Sequence, residues 1–530
     1  MSYFSGKDAV ELRALEKFLK NDFEAFSKFC FKILTGTMLL HVDYYEVLFQ
    51  AIQKMIDQDS TRMIINIPPR AGKTLIVSQL LPLFAWARNP SGHTILTGFN
   101  SDVLAESSGY IRTIMTDPDF QLVFPDVKLD VNKKSVEKLG TMSAGVVHAI
   151  PTTGKLTGKG AGTLAPDFAG ILCIDDVIKP DDANSPTERD KVNNRFQNTI
   201  LSRLASETTP LVVIMQRLHA DDLCGFIMKG NTSDTYDWLN IPGIVTPETG
   251  SADWYQKQID DYGYTSVNPI LYSLPESEMR KYETHMFEGK EQLVSSFWSV
   301  RKNLKSLLGL YIKDAYTFFS QYMGMPVGKG KAALKAEDIY SYNNVEDFRI
   351  RYTFITADTA ATTQTYSDYS VACLWGVTTN KELILIDCII DKWEVPELIP
   401  AMRDFWRKHS EFDMSRPTMQ PQAFYMEDKS SGLFLNQQFL KDGTVNVRPV
   451  PRDGTVGNDK FSRFLNTLPY FKAGRIRLPR SHEHYDYIKR ELLGQSEYGS
   501  ATGHDDAADN FSDAVAIAFA NEGMSYGDWS

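Results

Sequence analysis

The sequence predicts an α/β protein of two folded domains, and three observations predict it. Between Met63 and Met215, apolar strands (Met63–Ile67, Thr94–Gly98, Ile171–Ile174, Leu211–Met215) alternate with helical or polar segments, the pattern of a mostly parallel sheet with flanking helices. A second series of strands runs through Tyr352–Asp358, Ser370–Gly376, Glu382–Asp387 and Ala423–Glu427, with helices near Val395–His409 and Gly432–Leu440. At 530 residues the chain also exceeds a single core, which stops growing near about 250–300 residues.

Taken in order, residues 1–60 read as a helical lead-in. Phe18, Phe23, Phe26 and Phe29, then Tyr44, Tyr45, Leu48 and Phe49, recur at helical spacing and are expected in the core. Residues 61–225 form the first α/β domain. Residues 226–345 are polar, aromatic and rich in turn residues, with helical patches near Phe287–Leu308, and read as a connector. Residues 346–530 form the second domain.

The first domain opens on Ile64-Ile-Asn-Ile-Pro-Pro-Arg-Ala-Gly-Lys-Thr74. An apolar strand feeding a Pro/Gly turn and then Gly-Lys-Thr is the form of a phosphate-binding loop. The loop Pro69–Thr74 would cradle phosphates through the backbone N–H groups of Arg70 to Thr74, Lys73 would reach the β- and γ-phosphates, and the Thr74 hydroxyl would ligate Mg²⁺. Ile67 or Pro68 stands where the usual pattern has its first Gly, and Arg70 lies inside the loop. The partner expected of such a loop is Ile171-Leu-Cys-Ile-Asp-Asp176, a strand ending in two carboxylates. Asp175 reads as the metal position and Asp176, where most such proteins have Glu, as the residue that polarises the attacking water.

In the second domain, acids stand at the ends of elements. Asp358 closes the first strand, Glu427 closes a later one, and His504-Asp-Asp-Ala-Ala-Asp509 opens a C-terminal helix. Asp506 and Asp509, three residues apart, share a helix face. Carboxylates from two strand tips and a helix suit two Mg²⁺ or Mn²⁺ ions about 3.5–4 Å apart, the arrangement that cuts phosphodiesters. Asp505 is the alternative as helix N-cap, and Asp368, Asp428 and Asp513 are weaker alternates.

Composition narrows the partners. The net charge of −11 argues against passive coating of nucleic acid, which needs many Lys/Arg–phosphate contacts. The best local basic patch is Arg475-Ile-Arg477-Leu-Pro-Arg480, with Arg448, Arg452, Lys460 and Arg463 before it; the plainer reading is a solvated strand edge. The 5 cysteines lie scattered without a C-x-x-C pair, which suits a reducing compartment. The longest apolar stretch, Leu75–Ala87, falls short of the roughly 20 residues of a membrane span, so a soluble protein is expected.

In this order the motifs resemble the large terminase subunit of tailed bacteriophages. The matching pieces are Pro68–Thr74, Leu156-Thr-Gly-Lys-Gly160, Ile174–Pro180, Val213-Ile-Met-Gln-Arg-Leu-His219 with Asp221-Asp222-Leu223, then Ala357-Asp-Thr359, Glu427 and His504–Asp509. The resemblance implies a P-loop ATPase that uses ATP and Mg²⁺ to pump double-stranded DNA into a procapsid, joined to a ribonuclease H-like nuclease that cuts concatemeric DNA to genome length. It implies Gln216 as sensor of the γ-phosphate, Arg70 as a contact to the transferring phosphoryl group, and His41 near the adenine. It also implies a finger acting between subunits, for which Lys159, Arg203 and Arg217 stay open. The partners implied are a portal protein, a small terminase subunit and a pentameric ring of copies, at work in the host cytoplasm without a membrane. A helicase-like repair ATPase and a scaffold with a degenerate nucleotide site are the competing readings; the first lacks a second motor domain.

Overall fold

The computed structural model describes residues 8–519 apart from 41, 165–167, 184, 279, 289, 315–316, 327–333, 360–368, 412–416, 427–437, 440, 442, 444, 451–459, 497–498 and 501–505. The chain divides into two compact units, Met1–Tyr282 with Val294–Leu307 and Thr317–Gly328, and Glu283–Leu293 with Leu308–Tyr316 and Lys329–Ser530.

The first unit begins with helices Ala9–Asn21, Phe23–Thr35 and Asp43–Ile56. Asp8 starts the first through a capping box with Glu11, and Asp22 starts the second by accepting from the Ala25 N–H at 2.8 Å. Their apolar faces do not form a separate lead-in. Phe23 and Phe26 meet Phe84 edge to face at 5.2 and 5.1 Å, inside the core of the sheet domain. Phe18, expected in that core, is 55% exposed because it falls on the opposite face of its helix.

Strands β1 (Arg62–Asn66), β2 (His93–Gly98), β3 (Leu129–Ser135), β4 (Lys138–Thr141), β5 (Val146–Pro151), β6 (Leu172–Asp175), β7 (Leu211–Ile214), β8 (Tyr236–Asn240) and β10 (Val267–Pro269) form one sheet, ordered β10-β8-β1-β7-β6-β2-β5-β4-β3. All pairs from β10 to β5 are parallel, and β1, β6 and β7 are buried along their whole length. Burial on both faces explains why these strands read as unbroken apolar runs. The stretch read as a connector contributes β8 and β10 to this sheet, so it is not a separate region. Within it, β9 (Ile244–Val245) pairs antiparallel with Ser295 and Ser296 of β12 (Lys290–Ser296), which follows β11 (Glu283–Phe287). Strand pairing thus overrides the helical periodicity expected near Phe287–Leu308, and only Leu304–Lys313 is helical there.

In the second unit, β13 (Tyr340–Tyr342), β14 (Ile350–Asp358), β15 (Ser370–Thr378), β16 (Leu383–Asp391), β17 (Pro421–Met426), β18 (Val447–Pro449) and β19 (Ile476–Pro479) form a mixed sheet, ordered β13-β19-β16-β15-β14-β17-β18. β14, β15 and β16 make an antiparallel meander, and β17 joins β14 in parallel. The two faces divide by strand periodicity. Ile355, Ala357, Leu374, Phe424 and Met426 pack with Leu398, Met402 and Phe405 of helix Val395–Ser410. Thr356 and Trp375 meet helix Asp506–Phe519, Trp375 through Phe511 at 4.7 Å between ring centres.

Candidate functional sites

The first site lies at the carboxyl ends of β1, β7 and β6, where open α/β sheets bind ligands. Register brings the strands level: Ile65 of β1 and Asp175 of β6 both pair with Ile214 of β7. The loop after β1 holds two left-handed residues, Arg70 at φ 61° and Gly72 at φ 81°. Arg70 is exposed. Lys73 then enters a wide helical turn, Thr74–Leu80, that passes directly into helix Leu81–Arg88. Pro82 accounts for the widening, since it has no N–H to donate and its ring would clash with the carbonyl four residues back in a regular helix.

Lys73 is buried, and its Nζ donates to Asp176 Oδ2 at 2.6 Å. Asp175 is 7% exposed and accepts from Ser78 Oγ at 2.7 Å through Oδ2. Burial, and then the neighbouring Asp176 charge, push the Asp175 carboxyl up to about 6, against the lowering by Lys73, Ser78 and Thr74. Asp175 Oδ1, Asp176 Oδ1 and Gln216 Oε1 are buried acceptors without a protein hydrogen bond. Buried acceptors are normally paired, so three of them at adjoining strand ends form a donor set that fits a hydrated divalent cation on a phosphate chain. Thr74 and Asp175 would hold the cation, and Pro69–Thr74 the phosphates.

Arg217, one residue past Gln216, is fully buried. Its Nε donates to both oxygens of Asp222 at 2.9 and 3.0 Å, and Nη1 donates to the Tyr264 hydroxyl at 2.7 Å. Asp222 also accepts from the N–H groups of Leu218, His219 and Gly225. This closed ring fixes the loop behind Gln216 and removes Arg217 from any role as a finger reaching another subunit. Lys159 and Arg203 remain. Their side chains donate to carbonyls of Lys155 and Thr199, and the Ala161 N–H bonds the Arg203 carbonyl at 2.9 Å, so the two cations stand on paired segments.

The second site lies at the end of β14. Asp358 alternates with Thr356 onto the face that carries helix Asp506–Phe519. Asn510 fastens that helix to the strands: its amide donates to the carbonyls of Thr356 at 3.4 Å and Val371 at 3.1 Å, and Val371 is the register partner of Asp358. Glu491 Oε1 accepts from the N–H groups of Ala507 and Ala508 at 2.7 and 3.0 Å, closing the helix start from a neighbouring helix, Tyr485–Gly494. Asp506 accepts from the Tyr369 N–H at 3.2 Å. Asp509 takes Lys460 Nζ at 2.9 Å and Arg463 Nη2 at 3.0 Å. Glu427 and Asp505 lie outside the described residues, as do His41, Asp368 and Asp428; β17 ends at Met426, paired with Ala357 beside Asp358. Among the described residues, no three His, Cys, Asp or Glu side chains gather closely enough to hold a metal. Asp358, Asp506 and Asp509 alone therefore do not complete a metal centre.

Two arginines of the basic patch read as a DNA contact are half-buried and engaged by neighbours within the unit. Arg475 donates to the Lys381 carbonyl and lies over Tyr470 and Phe519, and Arg477 pairs with Glu382 at 2.9 Å. Arg480 donates to Ser341 Oγ at 3.1 Å and is exposed. Sequence reading did not find Ser78, Glu491 or Asn510 as parts of the sites, and it read Arg217 as a finger candidate, not as the buried partner of Asp222. The one signal available was the spacing of Asn510, four residues after Asp506 on the same helix face.

No family model and no curated protein matches the chain. Among solved structures, the chain is similar to the large terminase of bacteriophage HK97, at 12% identity over 91% of this chain and 96% of that one, with a TM-score of 0.35. It is also similar to the large terminase of a thermophilic bacteriophage in complex with ADP, at 9% identity over 89% and 98%, with a TM-score of 0.32. For the human cytomegalovirus terminase nuclease domain the figures are 11% identity, 35% of this chain, 94% of that one and a TM-score of 0.26. Likeness at this level transfers neither membership nor activity. Among the described residues, no helix is long and apolar enough to cross a membrane.

Proposed function

We propose that this chain is a DNA-packaging motor and nuclease: its first unit hydrolyses ATP to drive double-stranded DNA into a procapsid, and its second cuts that DNA to length. The observation that carries the reading is the meeting of Lys73, Asp175, Asp176 and Gln216 at level strand ends beside the Arg70–Gly72 loop. The order of motifs along the chain, which resembles large terminase subunits, supports the rest.

In the first unit, Lys73 exchanges its bond to Asp176 for the β- and γ-phosphates. Asp176, released, holds the attacking water and orients its proton. Asp175 and Thr74 would hold Mg²⁺, whose charge would offset the charge that develops on the phosphate oxygens. Gln216, fixed by the Arg217–Asp222 ring behind it, is placed to report the γ-phosphate, and Arg70 is free to turn toward the transferring group. Lys159 or Arg203 acts on the neighbouring copy in a pentameric ring.

In the second unit, Asp358, Glu427, Asp506 and Asp509 would hold Mg²⁺ or Mn²⁺, and the chemistry such ions would supply is activation of water and stabilisation of a leaving oxygen. Asp509 must first exchange a cationic partner, and the more exposed Lys460 is the cheaper one to lose. Portal protein and a small terminase subunit are the partners this role requires, in the host cytoplasm. The reading is tested by ATP hydrolysis with Mg²⁺: activity lost in Lys73→Ala supports it, and equal activity in that variant rejects the site.

A further inference from the structure

We propose that Tyr44 and Tyr45 are positioning residues that hold the Arg70–Gly72 backbone in shape for a triphosphate, making helix Asp43–Ile56 part of the nucleotide site. The inference rests on the triphosphate reading above and extends it to residues outside the loop.

The loop's conformation needs an external support. A non-glycine residue in the left-handed region is strained, because its Cβ crowds the following carbonyl oxygen, and Arg70 adopts it at φ 61°. Such strain persists where the surroundings over-determine it. Ala71, the next residue, gives its carbonyl to the Tyr44 hydroxyl at 3.0 Å. At Gly72, φ 81°, the Tyr45 hydroxyl fills the space a Cβ would need. Two consecutive phenols thus bear on two consecutive loop residues.

The phenols are themselves fixed. Tyr44 is fully buried and lies 4.7 Å from Tyr45, 5.2 Å from Phe297 and 5.8 Å from Trp298 between ring centres; Tyr45 lies 6.1 Å from Trp298. Arg301 covers Trp298 at 5.1 Å. Burial pushes both phenols above the ordinary tyrosine range, so Tyr44 keeps the proton it donates. A buried hydroxyl without a bond would cost free energy, so Tyr44 and the Ala71 carbonyl hold one another in place. Successive N–H groups in alternating right- and left-handed conformations make a concavity for anions. The brace therefore acts on phosphate affinity without touching phosphate.

The test titrates a fluorescent triphosphate analogue with Mg²⁺ into the full chain, its Tyr44→Phe variant and its Tyr45→Phe variant, with melting temperature and steady-state kinetics on each. Tyr44→Phe keeps the ring and removes one hydrogen bond, so affinity should weaken about two- to twelvefold, the equivalent of about 0.5–1.5 kcal/mol. KM should rise with kcat held, because loop contacts act on substrate and transition state alike. If Tyr44→Phe proves unstable, Tyr45→Phe, which empties the space beside Gly72, should also weaken affinity by more than twofold. Affinity within twofold of wild type in a folded variant overturns the brace. No binding by wild type overturns the triphosphate reading itself.

Discussion

At the scale of single residues, activity and stability rest on charges that are paired only locally. Replacing Lys73 by Ala should reduce ATP hydrolysis by about a hundredfold or more, the usual loss when a group aimed at developing charge is removed, as a steady-state phosphate-release assay would read. Arg217 belongs to stability. With Asp222 it forms an ion pair at 0% side-chain exposure for both partners, and removing one partner of such a pair costs about 3–5 kcal/mol. Arg217→Leu should therefore shift the urea midpoint strongly, and Arg217→Leu with Asp222→Leu should recover part of the loss. That Lys73, Asp175 and Asp176 lie at or beyond strand ends was legible in the sequence because a recognisable apolar strand leads to each. The Arg217 ring was not, because its closure depends on Tyr264 and on a turn that no local pattern announces.

At the scale of elements, strands were easier to read than the segments that complete them. The strands that lead to Lys73, Asp175 and Gln216 are short apolar runs whose double burial leaves a clear trace in sequence. β8 and β10 were hidden in a polar stretch, since β10 lies at the sheet's edge and needs no apolar run. The wide turn Thr74–Leu80 places Ser78 on Asp175, a contact obscured in sequence because Ser78 sits inside an apolar helix. Helix Asp506–Phe519 depends on Glu491, which supplies the acceptor for two N–H groups at its start. Glu491→Ala should cost about 1–2 kcal/mol, the range for a lost helix cap, and should weaken Mn²⁺ binding by calorimetry.

At the scale of the whole molecule, the second unit carries a pH dependence that extends above neutrality. Burial alone would raise the Asp387 carboxyl, but hydrogen bonds from His409, His482 and Lys408 outweigh it and hold it well below the usual carboxylate range. His482, bonded to Asp387 and beside Cys388, is raised to about 10. A histidine raised in the folded state stabilises fully below its unfolded value near 6.5 and loses that contribution as pH rises toward 10. The Asp387 contribution is present above about 3.9 and is lost as pH falls. The melting temperature of the second unit should therefore decline as pH approaches 10, beyond the range near 7 to 9 in which the lowered Cys388 thiol offsets the loss, and Asp387→Asn should flatten that decline. The two-unit plan itself was legible from length and strand series; the exchange of segments between units was not, because it depends on contacts distant in sequence.

The central claim is that two chemistries occupy two separate units. The measurement that addresses it most directly follows ATP hydrolysis and Mn²⁺-dependent plasmid cleavage side by side in wild type, Lys73→Ala and Asp358→Ala, each confirmed folded. The expected result is that Lys73→Ala loses hydrolysis and keeps cleavage, while Asp358→Ala loses cleavage and keeps hydrolysis. Loss of both activities in either folded variant, or cleavage that survives Asp358→Ala, would contradict it.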